Sequence, residues 1–209
     1  MDKYVITIGR QFGSGGRALG SILSKKLGIP FYDKELLLQA AEENGINPDF
    51  FVNNDERVPS FFNGIIPFSM GVNPMPWYSG STSISDDSIY RAQSDFIRQI
   101  ADRGPCIIVG RSADYVLRDA KNLITVFVHA RPEDCAKRIV ERGEGRDMDK
   151  ALRMGERINK LRANYYNFYT DKRWGDASSY DLTFNSSSLS LDDIAEVIID
   201  YLNRRLAKE

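Results

Sequence analysis

From Tyr4 to Arg17 the chain runs an apolar strand, Val5-Ile6-Thr7-Ile8, straight into a glycine-rich turn, Gly13-Ser14-Gly15-Gly16, and then into a helical pattern. No other stretch limits the fold as much. Glycines let consecutive backbone N–H groups turn toward an anion, and the helix that follows presents its unpaired N-terminal donors and the positive end of its dipole. The layout predicts a phosphate-binding loop between a buried strand and a helix.

The loop departs from the G-x-x-x-x-G-K pattern of nucleotide-binding loops. Counted back from Leu27-Gly28-Ile29, Gly16 stands where the phosphate lysine is expected and Ala18 at the magnesium-binding Ser/Thr position. Gly13, Ser14, Gly15, Gly16, Arg17 and Ala18 are the candidate nucleotide-binding residues. Arg17, one residue late, is the candidate replacement cation, and Ser14 the candidate hydroxyl. A tight strand-to-helix turn that binds nothing is the alternative for the same residues.

The remaining composition narrows the partners. With 28 basic and 29 acidic residues among 209, the formal net charge is -1, which gives no bulk attraction to DNA, RNA or an anionic membrane and confines any anion site to a local cluster. No apolar run is long enough for a bilayer, and Met1-Asp2-Lys3-Tyr4 enters a strand at once, so a cytoplasmic location is expected. Cys106 and Cys135 sit in apolar patterns with no Cys or His nearby and read as small core residues. His129, the only histidine, closes an apolar run and lacks a neighbouring nucleophile, so its expected role is structural.

Strand and helix then alternate. Leu19, Ile22, Leu23 and Leu27 fall at helical spacing before Gly28, Phe31-Tyr32 reads as a short strand, and Asp33 precedes a second helix. Asp33 suits an N-cap and a substrate-facing carboxylate at a strand's C-terminal edge equally. From 46 to 85 periodicity fails in an aromatic, proline-interrupted stretch that reads as an ordered insertion. Its outer side is a candidate homodimer surface. Asp86 to Arg103 returns to helix, Cys106 to Val109 is a buried strand, and Gly110-Arg111-Ser112 follows where a parallel strand gives out, the edge at which such sheets bind ligands. Arginine suits phosphate or carboxylate there through its planar fork, with a surface salt bridge as the alternative.

Leu123 to Val128 reads as a further strand and Arg131-Pro132-Glu133-Asp134 opens a helix. Beyond Gly143 and Gly145, Arg146, Lys150, Arg153, Arg157 and Lys160 recur along one helical face, with Arg162 just past them. Such a stripe is either a solvated face or an arm that closes over phosphates, hinged at Gly143 and Gly145 and at Gly175. The aromatic cluster Tyr165, Tyr166, Phe168, Tyr169 and Trp174 is expected to pack the base of that arm. Tyr180 to Phe184 reads as the last strand, and Ser190 caps a final helix whose buried face is Ile194, Val197, Ile198, Tyr201 and Leu202.

With these landmarks in place the chain resembles the cytidylate kinase-like family, a divergent branch of the nucleoside monophosphate kinases in the P-loop fold. The resemblance rests on Ile6-Thr7-Ile8 with Gly13-Ser14-Gly15-Gly16-Arg17, on Leu27-Gly28-Ile29-Pro30-Phe31-Tyr32-Asp33-Lys34-Glu35, on Ile107-Ile108-Val109-Gly110-Arg111, and on Ala163-Asn164-Tyr165-Tyr166 through Tyr180-Asp181-Leu182. It implies a three-layer α/β P-loop NTPase fold, a five-stranded parallel sheet flanked by helices, in one domain. That domain would have a core at 1–45, 86–142 and 176–209, an acceptor-side insertion at 46–85 and a helical lid at 143–175. It implies transfer of the terminal phosphoryl group of ATP, with Mg2+, to a nucleoside monophosphate of the CMP type or a similar small acceptor. Asp33, Arg111 and Ser112 would be acceptor-binding, and Arg157 and Arg162 would be lid arginines acting with Arg17. Ser112 stands where cytidylate kinases carry an aspartate. Metal ligands stay open among Ser14, Asp33 and Asp114. The other reading of the same residues is a nucleotide or phosphometabolite sensor that has lost transfer chemistry along with the loop lysine.

Overall fold

The structure, a computed structural model, describes residues 3–43, 45 and 86–207. The insertion expected at 46–85, with the dimer surface expected on it, lies outside the described residues.

A five-stranded, wholly parallel sheet forms the middle layer. Its strands are β1 (Val5–Arg10), β2 (Phe31–Tyr32), β3 (Cys106–Val109), β4 (Leu123–His129) and β5 (Leu182–Asn185), in the spatial order β2-β3-β1-β4-β5. β1 is the centre, with Val5 opposite Cys106 on one side and opposite Leu123 on the other. A parallel sheet needs helical crossovers that cover both faces, and its strands therefore read as nearly continuous apolar runs. Here neighbouring residues of one strand serve different layers. Val5, Cys106 and Ile108 pack with Leu37 of α2 (Lys34–Glu43) and with Phe96, Ile97 and Ile100 of α3 (Asp86–Arg103). Ile6, Ile8, Ile107, Val109, Val126 and Val128 pack instead with Leu19 and Leu23 of α1 (Gly16–Leu27) and with Ile194, Ile198 and Leu202 of α7 (Leu191–Leu206). Each fully buried Ile or Leu contributes about 1.5–3 kcal/mol relative to exposure, so the two aliphatic layers hold β1 from both sides.

The local signals account for the boundaries. Gly28 ends α1 at φ 66° with its N–H bonded to the Ser24 carbonyl. Asp33 Oδ1 accepts from the N–H of Glu35 and of Leu36, both at 3.0 Å, and Ser190 accepts from Asp193 at 3.1 Å to start α7. Pro132 opens α5 (Pro132–Glu141), and Asp147 caps α6 (Met148–Tyr169). Arg146 of the basic stripe therefore precedes α6. Val197 is 45% exposed, and Ala195, on the opposite edge of the apolar stripe, is buried instead. Tyr180 also lies before β5 rather than in it, following the short 3-10 turn Ala177–Ser179. The α5–α6 pair packs through Ala136, Ile139 and Ala151 with Phe12 of the loop against them.

Candidate functional site

At the C-terminal edge of the sheet the chain leaves β1 and closes a tight turn. Ser14 bonds the Gln11 carbonyl twice, through its N–H at 3.3 Å and its hydroxyl at 2.9 Å. Gly13 and Gly15 adopt φ of 81° and 89°, which L-residues with a Cβ adopt only under strain. A Cβ on Gly13 would also lie 2.6 Å from the Cys135 carbonyl oxygen.

The outer side of the loop is pinned from two distant segments. Ser186, just past β5, donates its hydroxyl to the Ser14 carbonyl at 2.7 Å. Arg138 of α5 donates to the Ser186 hydroxyl at 3.0 Å, to the Ser186 carbonyl at 2.8 Å and to the Gly13 carbonyl at 3.4 Å. C=O and N–H point in opposite directions across a trans peptide. Holding the Ser14 carbonyl outward therefore turns the Gly15 N–H to the inner side, where α1 begins. The loop is thereby held in one shape, with a backbone donor beside the helix N-terminus.

Arg17 lies on the outside of α1 with its side chain 65% exposed, paired at 2.5 Å with Asp33 and at 2.5 Å with Glu35. Asp33 is buried and uses its other oxygen as the α2 cap. Of the two roles expected for Asp33, the structure shows the N-cap; the residue also stands directly after β2, at the sheet's C-terminal edge.

Beside the loop a small cavity opens between the ends of β1 and β3. Its walls are Thr7 to Arg10, the turn Gly110-Arg111-Ser112, Asp114 of α4 (Ala113–Val116), Arg162, Tyr165 and Tyr166 of α6, and Trp174 and Tyr180. The space is about 30 Å³, near that of two water molecules, which suits a single anionic group rather than a whole nucleotide. Arg111 and Arg162 are buried at 3% and 8% exposure, a costly placement for a cation unless opposite charge or strong acceptors meet it. Arg111 and Ser112 both take positive φ, 61° and 50°. Non-glycine residues keep such conformations at a cost of about 1–3 kcal/mol each, and they concentrate at ligand sites. Ser112 Oγ is buried with no hydrogen-bond partner among the described residues, so a ligand oxygen entering the cavity finds a donor ready.

Asp114 closes the floor, accepting the Tyr166 hydroxyl at 2.6 Å. Burial raises its carboxyl above the ordinary range, and the Tyr166 bond works against that shift. Burial also pushes the phenols of Tyr166 and Tyr180 up, so both remain neutral donors. Arg162 reaches the Arg10 carbonyl at 3.5 Å and lies 5.4 Å over the Phe12 ring. Arg157 is exposed on the other side of α6, with Lys150, Arg153 and Lys160.

The structure thus gathers Arg111, Ser112 and Arg162 in one cavity, leaves Arg17 and Asp33 paired with each other outside its lining, and sets Arg157 in solvent. Reading the sequence missed Arg10, the Arg138–Ser186 clamp and the cavity role of Tyr165 and Tyr166. The glycine cradle and the orphaned Ser112 hydroxyl fit a nucleotide phosphate. No cluster of three metal-ligating side chains occurs among the described residues. The three oxygen candidates are otherwise engaged: Ser14 in the turn, Asp33 in cap and ion pair, Asp114 with Tyr166. Mg2+ takes many of its oxygens from substrate phosphates and water, which fits an ion that enters with the nucleotide.

Comparison with known proteins agrees with this architecture. A profile described as the cytidylate kinase-like family matches residues 5–188. An uncharacterized protein from Eubacterium ventriosum superposes with a TM-score of 0.71 at 29% identity, covering 96% of this chain and 98% of that one. Shikimate kinase from Bacteroides thetaiotaomicron has a TM-score of 0.54 at 15% identity over 96% of this chain and 98% of its own. The APS kinase of Mycobacterium tuberculosis, solved with AMPPNP and APS, has a TM-score of 0.51 at 19% identity over 96% and 97%. Among curated proteins none matches the chain. No helix among the described residues is long and apolar enough to cross a membrane.

Proposed function

Because the chain belongs to the cytidylate kinase-like family, we propose that it moves the terminal phosphoryl group of ATP to a small anionic acceptor, with a CMP-like nucleoside monophosphate as the first candidate. The observation that carries the reading is the pair of buried arginines, Arg111 and Arg162, set in a cavity beside a preformed phosphate loop. In-line transfer demands positioning and charge neutralisation more than a covalent nucleophile. An acceptor oxygen bonds to the terminal phosphorus as the bond to the bridging oxygen breaks, and ADP leaves.

In this reading Gly13 to Ala18 cradle the donor phosphates. Arg111 and Ser112 hold the acceptor's anionic group, with Asp33 at the margin. Arg162 faces the transferring group, Arg17 stays in its surface ion pairs with Asp33 and Glu35, and Arg157 joins when the arm at 143–175 closes over the site. Mg2+, when bound, supplies further neutralisation of the phosphate charge. Asp114 keeps Tyr166 oriented and sets the depth to which an acceptor enters.

The test is phosphoryl transfer from ATP with Mg2+ to a panel of nucleoside monophosphates, followed by nucleotide separation. The panel extends to shikimate and APS, which structural neighbours are named for and which are anionic as the cavity requires. Turnover with CMP or UMP supports the specific reading, and turnover with another member redirects the acceptor alone. Tight ATP binding with no transfer favours the sensor reading suggested by the missing lysine, and absence of both refutes the phosphate-loop reading.

A further inference from the structure

Position 16, where the loop lysine is expected, has a neighbour that explains its glycine. A Cβ there would meet Arg10 Cβ at 2.6 Å and Arg10 Cγ at 2.9 Å. A Cβ on Gly110 would fall on Arg10 Nη1, with Cζ 2.7 Å away. The side chain of Arg10 therefore starts against the first residue of α1 and ends against the turn that carries Arg111 and Ser112. It also lines the cavity itself. In the G-x-x-x-x-G-K pattern, taking Gly15 as the second glycine and Gly16 as the lysine position places Arg10 at the first glycine. The loop has a cation where the pattern has a glycine, and a glycine where the pattern has a cation.

We propose that Arg10 carries the charge vacated at position 16, its guanidinium binding the terminal phosphoryl group at the seam between the phosphate loop and the acceptor cavity. The inference rests on the kinase reading above and assigns within it the role that loop position alone gives to Arg17. Two facts favour Arg10 over Arg17. Arg10 leaves the central strand at the loop's origin, whereas Arg17 is 65% exposed on the helix exterior, turned toward Asp33 and Glu35. Arg10 spans the distance from donor loop to acceptor turn, and its planar fork can donate two parallel hydrogen bonds to phosphoryl oxygens where a lysine offers a point charge.

Relocating the cation provides the test. Mg·ATP affinity by calorimetry and transfer to the best acceptor of the panel are measured for wild type, Arg10→Met, Arg17→Met, Arg10→Gly, Gly16→Lys and the double variant Arg10→Gly/Gly16→Lys. Thermal melting checks each fold, and Arg10→Met keeps the packed stem while removing the charge. The expected result is a loss on the order of 100-fold in turnover for Arg10→Met, the scale seen when one transition-state donor is removed, against less than about fivefold for Arg17→Met. Gly16→Lys alone loses activity or folded protein, because two stems compete for one space. The double variant regains at least about tenfold over Arg10→Gly. Turnover of Arg10→Met within about threefold of wild type, or a double variant no better than Arg10→Gly, overturns the assignment while the kinase reading stands. A wild-type protein that neither binds Mg·ATP nor transfers phosphate overturns the kinase reading itself, and this assignment with it.

Discussion

Ser186→Ala tests whether the phosphate loop is shaped from outside itself. The hydroxyl of Ser186, 4% exposed, donates to the Ser14 carbonyl at 2.7 Å and accepts from Arg138 at 3.0 Å. A neutral hydrogen bond contributes about 0.5–1.5 kcal/mol net and one to a charged group about 1.5–3 kcal/mol. Losing both, with the Ser14 carbonyl left buried, costs about 3 kcal/mol of unfolding free energy. For a chain of this size that lowers the melting temperature by roughly 6–12 °C. The Gly15 N–H is then no longer aimed, and Mg·ATP affinity should fall about tenfold, the equivalent of about 1.4 kcal/mol. Urea denaturation and calorimetry measure the two effects. Ser187→Ala is the control: its hydroxyl accepts the exposed Arg131 N–H at 2.9 Å and bonds the Asp134 carboxylate at the surface, away from the loop, and it should change stability by less than about 1 kcal/mol. Equal, small effects for the two serines would refute the clamp and with it the account of why the loop is preformed.

Two further outcomes follow from burial. Because burial raises Asp114, the native state holds its proton more tightly than the unfolded chain does. Its contribution to stability is then greatest below the unfolded carboxyl value of about 3.9 and falls as pH rises toward the raised native value. Asp114→Asn keeps an acceptor for Tyr166 and removes that fall, so its stability relative to wild type should climb between pH 4 and 7 in denaturation midpoints; a difference independent of pH would count against it. Cys106 and Cys135 are buried and free, and burial pushes the Cys106 thiol up to about 12 and the Cys135 thiol up as well. A thiol reagent should therefore label the native protein only at the rate of its opening, accelerating with urea, and labelling within seconds in native buffer would contradict the packing.

What the sequence made legible was local. The strand, glycine turn and helix from Tyr4 to Leu27, the Asp33 and Ser190 caps and the Gly28 stop are short-range chemistry, in which a few neighbouring side chains decide the backbone. The placement of Arg111 at a strand's end was equally legible, because parallel strands deliver ligand residues at that edge. The clamp was not. Ser186 stands in a run of three serines, and only the tertiary position of Ser14, 172 residues earlier, separates it from Ser187 and Ser188. Arg138 is an ordinary helix residue until Ser186 and Gly13 are brought to it. Arg17 was assigned by proximity along the chain, but a helix turns successive residues through about 100°, and Arg17 comes out facing Asp33 and Glu35. Val197 shows the same limit: helical spacing puts it on one edge of the apolar stripe, but the helix is rotated so that Ala195, on the opposite edge, is the residue buried with Ile194 and Ile198.

The tight approach of Arg10 to Gly16 also bears on how such a loop persists over generations. A lineage that acquired a lysine at position 16 while keeping Arg10 would set two cationic stems in one volume, and one that first lost Arg10 would leave that corner without a cation. On the assignment above each single replacement is a loss that the other partly recovers: sign epistasis written into one steric contact. With no acceptable one-step route between them, the two arrangements would stay apart by inheritance, and this one would need no advantage over the common pattern in order to endure.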